Sequence, residues 1–157
     1  MDLGKWALKY GVSHEAVSEL LVSFFPAPTG AGAPEGTEAR AQKDIRLQTN
    51  VTNGILLRNN SGVATDATGR AVRFGLGNDS GPLNKKFKSS DLIGLTPIEG
   101  VGVFTAIEVK RPGWKYSESV REKGQLNFIN TIKARGGIAG FATGPQDYLN
   151  LIEDFKK

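Results

Sequence analysis

The chain has 157 residues, 39% hydrophobic and 23% charged, with a formal net charge of +4, no cysteine and one histidine, His14. That length supports one domain with its own core and a small appendage. Missing cysteines exclude disulfides, zinc ribbons and thiol catalysis, and a lone histidine argues against histidine-based chemistry or a histidine-rich metal site. No apolar run approaches the roughly 20 residues that span a bilayer. The first residues carry no cleavable signal pattern. The expectation is an intracellular, cytoplasmic protein with no membrane partner, in a reducing compartment. Residues 80–135 hold ten Lys/Arg against five Asp/Glu, a local surplus of five positive charges. Such a surplus suits a polyanion partner such as DNA, or a solvated basic face.

Two short helices are expected first. Leu3, Trp6, Ala7 and Tyr10 recur at helical spacing, Gly11 breaks the run, and Ser13 can cap a second helix carrying Val17, Leu20, Leu21 and Phe24. Residues 1–25 thus read as a helical hairpin, and the Pro- and Gly-rich 26–36 as a flexible linker. From residue 37 to 157 the pattern is that of an α/β domain, a mixed sheet flanked by helices. Thr37 can cap a helix from Glu38 to about Asn50, with Glu38, Gln42, Ile45 and Thr49 on one side. Strands are expected over 55–58 and 71–76, with turns at Asn59–Gly62 and Asp66–Gly69 and a long polar loop over 75–88. Asp91–Leu95 and Val103–Lys110 form a hairpin across Pro97–Gly100. Ser117 is the expected cap of a helix ending near Arg135, whose inner stripe is Gln125, Phe128, Ile129 and Ile132. A strand over 138–143 and a helix from Pro145, with Tyr148, Leu149, Ile152 and Phe155 inward, complete the chain.

Chemistry points to Ala106-Ile107-Glu108-Val109-Lys110. Alternate strand residues share a face, so Glu108 and Lys110 point together. Asp91 opens the neighbouring strand and can approach Glu108. Two carboxylates suit Mg²⁺, and a lysine beside them suits hydrolysis of a phosphodiester. A Glu–Lys pair on a strand also occurs as a plain solvated edge.

The pieces EARAQKDIRL, LLRNNSG, VRFGL, SSDLIG, AIEVKRPG, a helix with Gln125, and GGIAGFA follow one another in order. In that order they resemble the VRR-NUC family, the virus-type replication–repair nucleases of the PD-(D/E)XK superfamily. The likeness runs over about residues 37–155 and looks closest to stand-alone viral and phage members. It implies an α/β nuclease domain cutting DNA with Mg²⁺ or Mn²⁺. Asp91 and Glu108 would bind the metal, with the Val109 backbone carbonyl and Glu38 completing the site. Lys110 would be catalytic, and Gln125 would support it. The resemblance also implies a homodimer that cuts branched DNA such as a Holliday junction, acting in a host cytoplasm if phage-encoded. Three departures stand out. Ser90 replaces a proline before the aspartate and follows a longer loop, the last helix is short, and residues 1–33 have no counterpart.

Candidate DNA contacts are Arg58 and Asn59 in the first turn, Lys85, Lys86 and Lys88 in the basic loop, and Arg111, Trp114 and Lys115 after the catalytic strand. Trp114 would either stack a frayed base or pack over the sheet edge. Two other readings follow from the residues. One is a DNA-binding regulator using residues 14–22 as the recognition helix of a helix-turn-helix, against which stand the absence of Arg and Lys in that helix and the presence of Glu15 and Glu19. The other is a duplex endonuclease without structural preference.

Overall fold

The computed structural model describes residues 3–13, 16–17 and 33–157, and the chain divides into two units, residues 1–32 and 33–157. In the first unit α1 (Leu3–Tyr10) buries Ala7 and sets the Trp6 and Tyr10 rings 5.5 Å apart. Gly11, at φ 64°, ends it in a conformation that glycine adopts without strain. The Ser13 hydroxyl accepts the Ala16 N–H, as a helix cap does. Of the second expected helix and the recognition helix proposed over 14–22, residues 14–15 and all beyond Val17, with Leu20, Leu21 and Phe24, lie outside the described residues, as does the linker up to residue 32.

The second unit is mixed α/β. Its elements are α2 (Glu38–Gln48), β1 (Ile55–Arg58), β2 (Gly62–Thr65), β3 (Ala71–Phe74), α3 (Gly81–Lys86), β4 (Leu92–Ile98), β5 (Val101–Val109), α4 (Val120–Lys133), β6 (Ile138–Ala142) and α5 (Pro145–Phe155). The main sheet runs β1-β4-β5-β6, antiparallel except for the parallel β5/β6 pair. A parallel neighbour cannot be reached by a tight turn, so α4 fills the crossover between them.

Alternation along β5 sorts its side chains to two faces. Ile107 and Val109 join a core with Ala41 and Ile45 of α2 and Tyr148 and Ile152 of α5. Ala106 packs on the other face with Phe128 and Ile129 of α4. Each fully buried isoleucine, such as Ile45 or Ile107, stabilises the fold by roughly 1.5–3 kcal/mol. The first core also holds hydroxyls that pair with one another. Tyr148 OH lies 3.1 Å from Thr52 Oγ1 and 3.2 Å from Thr96 Oγ1, and Thr105 Oγ1 donates to Thr96 Oγ1 at 2.8 Å.

Several expectations are corrected. The β4–β5 hairpin turns on Glu99 and Gly100 alone, with Ile98 opposite Val101 and φ of 49° and 83° at the two turn residues. Positive φ at both central residues is the type I′ geometry that matches strand twist. Pro97 therefore lies within β4, beyond Leu95, the last residue that β1 pairs. The stretch after the first turn forms β2, which pairs with β3 as a separate two-stranded sheet. The Asp66 carboxylate organises its turn, accepting the Thr68 N–H at 2.9 Å and the Arg70 N–H at 3.0 Å. Buried Asn78 ties the hairpin's base by donating to the carbonyls of Gly62 and Phe74. Within the expected loop, Ser80 caps the short helix α3. The cap of α4 is Ser119, not Ser117, in a capping box closed by Glu122.

Candidate active site

The site forms where β4 begins and β5 ends, on the face that α4 covers. Glu108 follows Ala106 on that face and Lys110 follows Glu108, so the strand's alternation places both charges beneath the helix. The Lys110 ammonium donates to Glu108 Oε1 at 2.9 Å and to Gln125 Oε1 at 3.0 Å. The Gln125 amide donates in turn to Glu108 Oε1. All three side chains are buried, Glu108 to 1% exposure and Lys110 to 6%. A buried ion pair needs further hydrogen bonds to offset the loss of water. Gln125 supplies one to Lys110 and one to Glu108 Oε1, which explains a polar residue on an otherwise apolar stripe.

Asp91 joins the group through the sheet register. Leu92 lies opposite Ile107, so Asp91 comes level with Glu108. Its Oδ2 accepts the Val109 N–H at 3.0 Å. Burial pushes the Glu108 carboxyl up to about 7 and the Asp91 charge pushes the same way, while Lys110 and Arg121 oppose them. The second oxygen, Glu108 Oε2, is buried and has no hydrogen-bond partner. A buried carboxylate oxygen left bare costs free energy unless a proton or a cation meets it.

Asp91, Glu108 and Gln125 border an open polar pocket of about 190 Å³. Asn59, Asn60 and Ser61 of the β1–β2 turn, with Lys88, Ser89 and Arg121, complete its lining. The Asn59 amide donates to Ser89 Oγ at 2.9 Å and to the Ser90 carbonyl at 2.8 Å. It thereby fixes the segment leading to Asp91. Gly75 is required beside this turn, because a Cβ there would meet the Asn60 carbonyl at 2.7 Å.

The remaining candidates fall into two groups. Lys88 lines the pocket, whereas Arg58, Lys85, Lys86, Arg111 and Lys115 are exposed and outside its lining. Glu38 is exposed in the first turn of α2 and is not part of the lining either. Among the described residues no three acidic or histidine side chains gather closely enough to hold a metal. The acidic pair is therefore Asp91 and Glu108. Trp114 is half-buried and already engaged. Its ring packs 4.8 Å from Phe141, the Lys110 ammonium lies 5.7 Å from each ring centroid, and its N–H donates to Glu122 Oε1 at 2.9 Å. This is the packing alternative, not a free stacking platform.

Arg121 and Glu122 were missed by sequence reasoning. Buried Glu122 accepts from the Ser117 and Ser119 hydroxyls, from both their N–H groups and from Trp114, so it braces the loop between β5 and α4. The Ser117 hydrogen bond is the largest influence holding its carboxyl down at about 2, aided by Trp114 and Ser119 against the effect of burial. Its signal was Ser119-x-x-Glu122, the capping-box spacing. Arg121 stands one helical turn before Gln125, hence on the same face. No family model, curated protein or solved structure matches the chain.

Proposed function

We propose that the protein is a metal-dependent DNA endonuclease that hydrolyses phosphodiester bonds. The carrying observation is Glu108 Oε2, a buried and unpartnered carboxylate oxygen bordering a polar pocket beside Asp91 and a buried lysine. Hard oxygen donors of this kind fit Mg²⁺ or Mn²⁺, which keep several waters and need only one or two carboxylates. Asp91 and Glu108 would hold the ion, with the Val109 carbonyl as a third oxygen. When bound, it supplies Lewis acidity toward a phosphoryl oxygen and acidifies a coordinated water.

The chain's own residues do the rest. Gln125 and Lys110 both engage Glu108 Oε1, which leaves Oε2 as the available ligand atom. The Val109 N–H fixes the Asp91 carboxylate. Lys110 uses two of its three N–H donors on Glu108 and Gln125. The third can steady the attacking water and the negative charge that develops on the phosphoryl group. Trp114 and Phe141 cover the ammonium with aromatic faces, which favour the cation.

The ordered resemblance to the VRR-NUC nucleases supports the same reading and extends it to a homodimer cutting branched DNA. Two cuts placed symmetrically need two sites related by a two-fold axis. The test is a labelled four-way junction beside a linear duplex of matching sequence, each with Mg²⁺, Mn²⁺ or EDTA. Junction cutting that EDTA abolishes is expected. Equal cutting of both DNAs would remove the structural preference, and failure to cut either would remove the hydrolase reading.

A further inference from the structure

Two cations reach the pocket by construction. Arg121, Gly124 and Gln125 lie three and four residues apart, so α4 presents all three on one face. Gly124 has no side chain to hold off the end of α3 and the residues that follow it. A Cβ there would meet the Lys85 carbonyl at 2.8 Å and Lys88 Cγ at 3.5 Å. The Lys88 N–H therefore donates to the Gly124 carbonyl at 3.0 Å, and the Asn127 amide donates to the Lys86 carbonyl at 2.9 Å. This seam, two hydrogen bonds closed over a glycine, brings Lys88 against the helix that carries Arg121, and both residues line the pocket.

Neither cation forms an ion pair among the described residues, and Arg121 acts on Glu108 only through space. The Lys88 ammonium donates to the neutral amide oxygen of Asn84 at 2.8 Å, which holds it without cancelling it. The pocket's only carboxylates are Asp91 and Glu108. On the reading given above, a divalent cation offsets those two charges. Lys88 and Arg121 are then left facing the same space with no anion. The pocket's 190 Å³ is about the volume of six waters, which is room for one phosphate group and its hydration.

We propose that Arg121 and Lys88 form a clamp that grips a single phosphodiester of the DNA backbone beside the carboxylate pair. This rests on the nuclease reading for the cation but makes a claim about different residues. Lys85 and Lys86, one turn away, belong to a general basic surface and not to the clamp.

The clamp is tested by the salt dependence of binding. A short fluorescein-labelled duplex is titrated with the full chain across a KCl series, with Ca²⁺ in place of Mg²⁺. Compared are the wild type, Arg121→Ala, Lys88→Ala, the double variant, and Lys133→Ala at the far end of the same helix. Each phosphate contact contributes about 0.9 to the slope of log K against log salt. The expected result is weaker binding in both single variants and a slope lower by about one in the double variant, with Lys133→Ala unchanged. An unchanged slope and affinity in the double variant would overturn the clamp. A double variant that loses about two in slope would overturn the sharing of one phosphate. Cutting in Mg²⁺ is read in parallel. Wild-type cutting with an unaltered slope in the double variant sinks the clamp alone. The expected slope change without any cutting sinks the hydrolase reading alone.

Discussion

Glu108 gives the metal-free protein a pH dependence that can be worked out in advance. Burial first, and the Asp91 charge second, raise its carboxyl from an ordinary 4.5 to about 7. A group whose pKa rises on folding favours the fold below its unfolded value, and that contribution is lost as pH climbs through the folded value. At about 1.4 kcal/mol per unit, ionising Glu108 inside the protein costs roughly 3 kcal/mol in full. Between pH 8 and pH 6 the gain is roughly 1 kcal/mol, because most folded molecules are protonated at pH 6 and few unfolded ones are. Urea unfolding in EDTA at pH 8, 7 and 6 reads this directly. Glu108→Gln removes the titration and should flatten the dependence, and Asp91→Asn should shift it to lower pH. Every other ionisable side chain is common to the wild type and Glu108→Gln, so the difference between those two isolates Glu108. Wild-type stability that is flat or falls from pH 8 to pH 6, or a Glu108→Gln protein with the same dependence, would refute the reasoning. On the proposed metal role, Mg²⁺ would have to displace the proton from Glu108, so its affinity should drop as pH falls below 7.

Other expectations follow from single contacts. Glu122 has its carboxyl held down, so its contribution is present above its unfolded value of about 4.5 and is lost as pH falls toward 2. Glu122→Gln should therefore be less stable than the wild type at pH 6, by a margin that shrinks on acidification, as read by thermal unfolding across that window. Trp114→Phe keeps a ring over Lys110 but loses the N–H to Glu122, at a cost of about 1 kcal/mol by urea unfolding; a neutral result would remove the brace. Glu99→Asn should stabilise the hairpin by a few tenths of a kcal/mol, because Asn tolerates positive φ better at a type I′ turn; a loss of stability by the same assay would contradict the turn assignment. Gly124→Ala should cost roughly 1–3 kcal/mol and weaken DNA binding together, since it pushes the Lys88 segment off α4; unchanged binding would show that the seam does not place Lys88.

What the sequence displayed depended on how local the signal was. Alternation in β5 was enough to put Glu108 and Lys110 on one face. The 3.6-residue stripe of α4 was enough to turn Gln125 inward beside Phe128 and Ile129. A strand over 71–76 was expected and is β3, but its partner β2 left no such trace, because Val63, Ala64 and Thr65 are all exposed and no apolar alternation marks them. α3, with GPLNKK, buries nothing and has no apolar period. Long-range contacts were invisible for another reason. The bond from the Val109 N–H to Asp91 depends on strand register, and the need for Gly124 depends on where residues 85–88 fold back. For Trp114 the sequence left both base stacking and packing over the sheet edge open, because nothing nearby in sequence reveals that Phe141 and Glu122 occupy it.

Lys110 offers the decisive measurement. It is buried, and in the proposed scheme it would carry no metal and would supply charge where the phosphoryl group develops its own. Single-turnover cutting of a labelled four-way junction in Mn²⁺ should compare the wild type with Lys110→Ala, at protein concentrations that saturate the DNA and with folding checked by circular dichroism. The wild type should cut, EDTA should stop it, and a folded Lys110→Ala should cut about 10²–10³-fold more slowly while binding the junction as before. A folded Lys110→Ala that cuts at the wild-type rate would contradict the assignment of the site, and a wild type that cuts nothing would contradict the proposed activity itself.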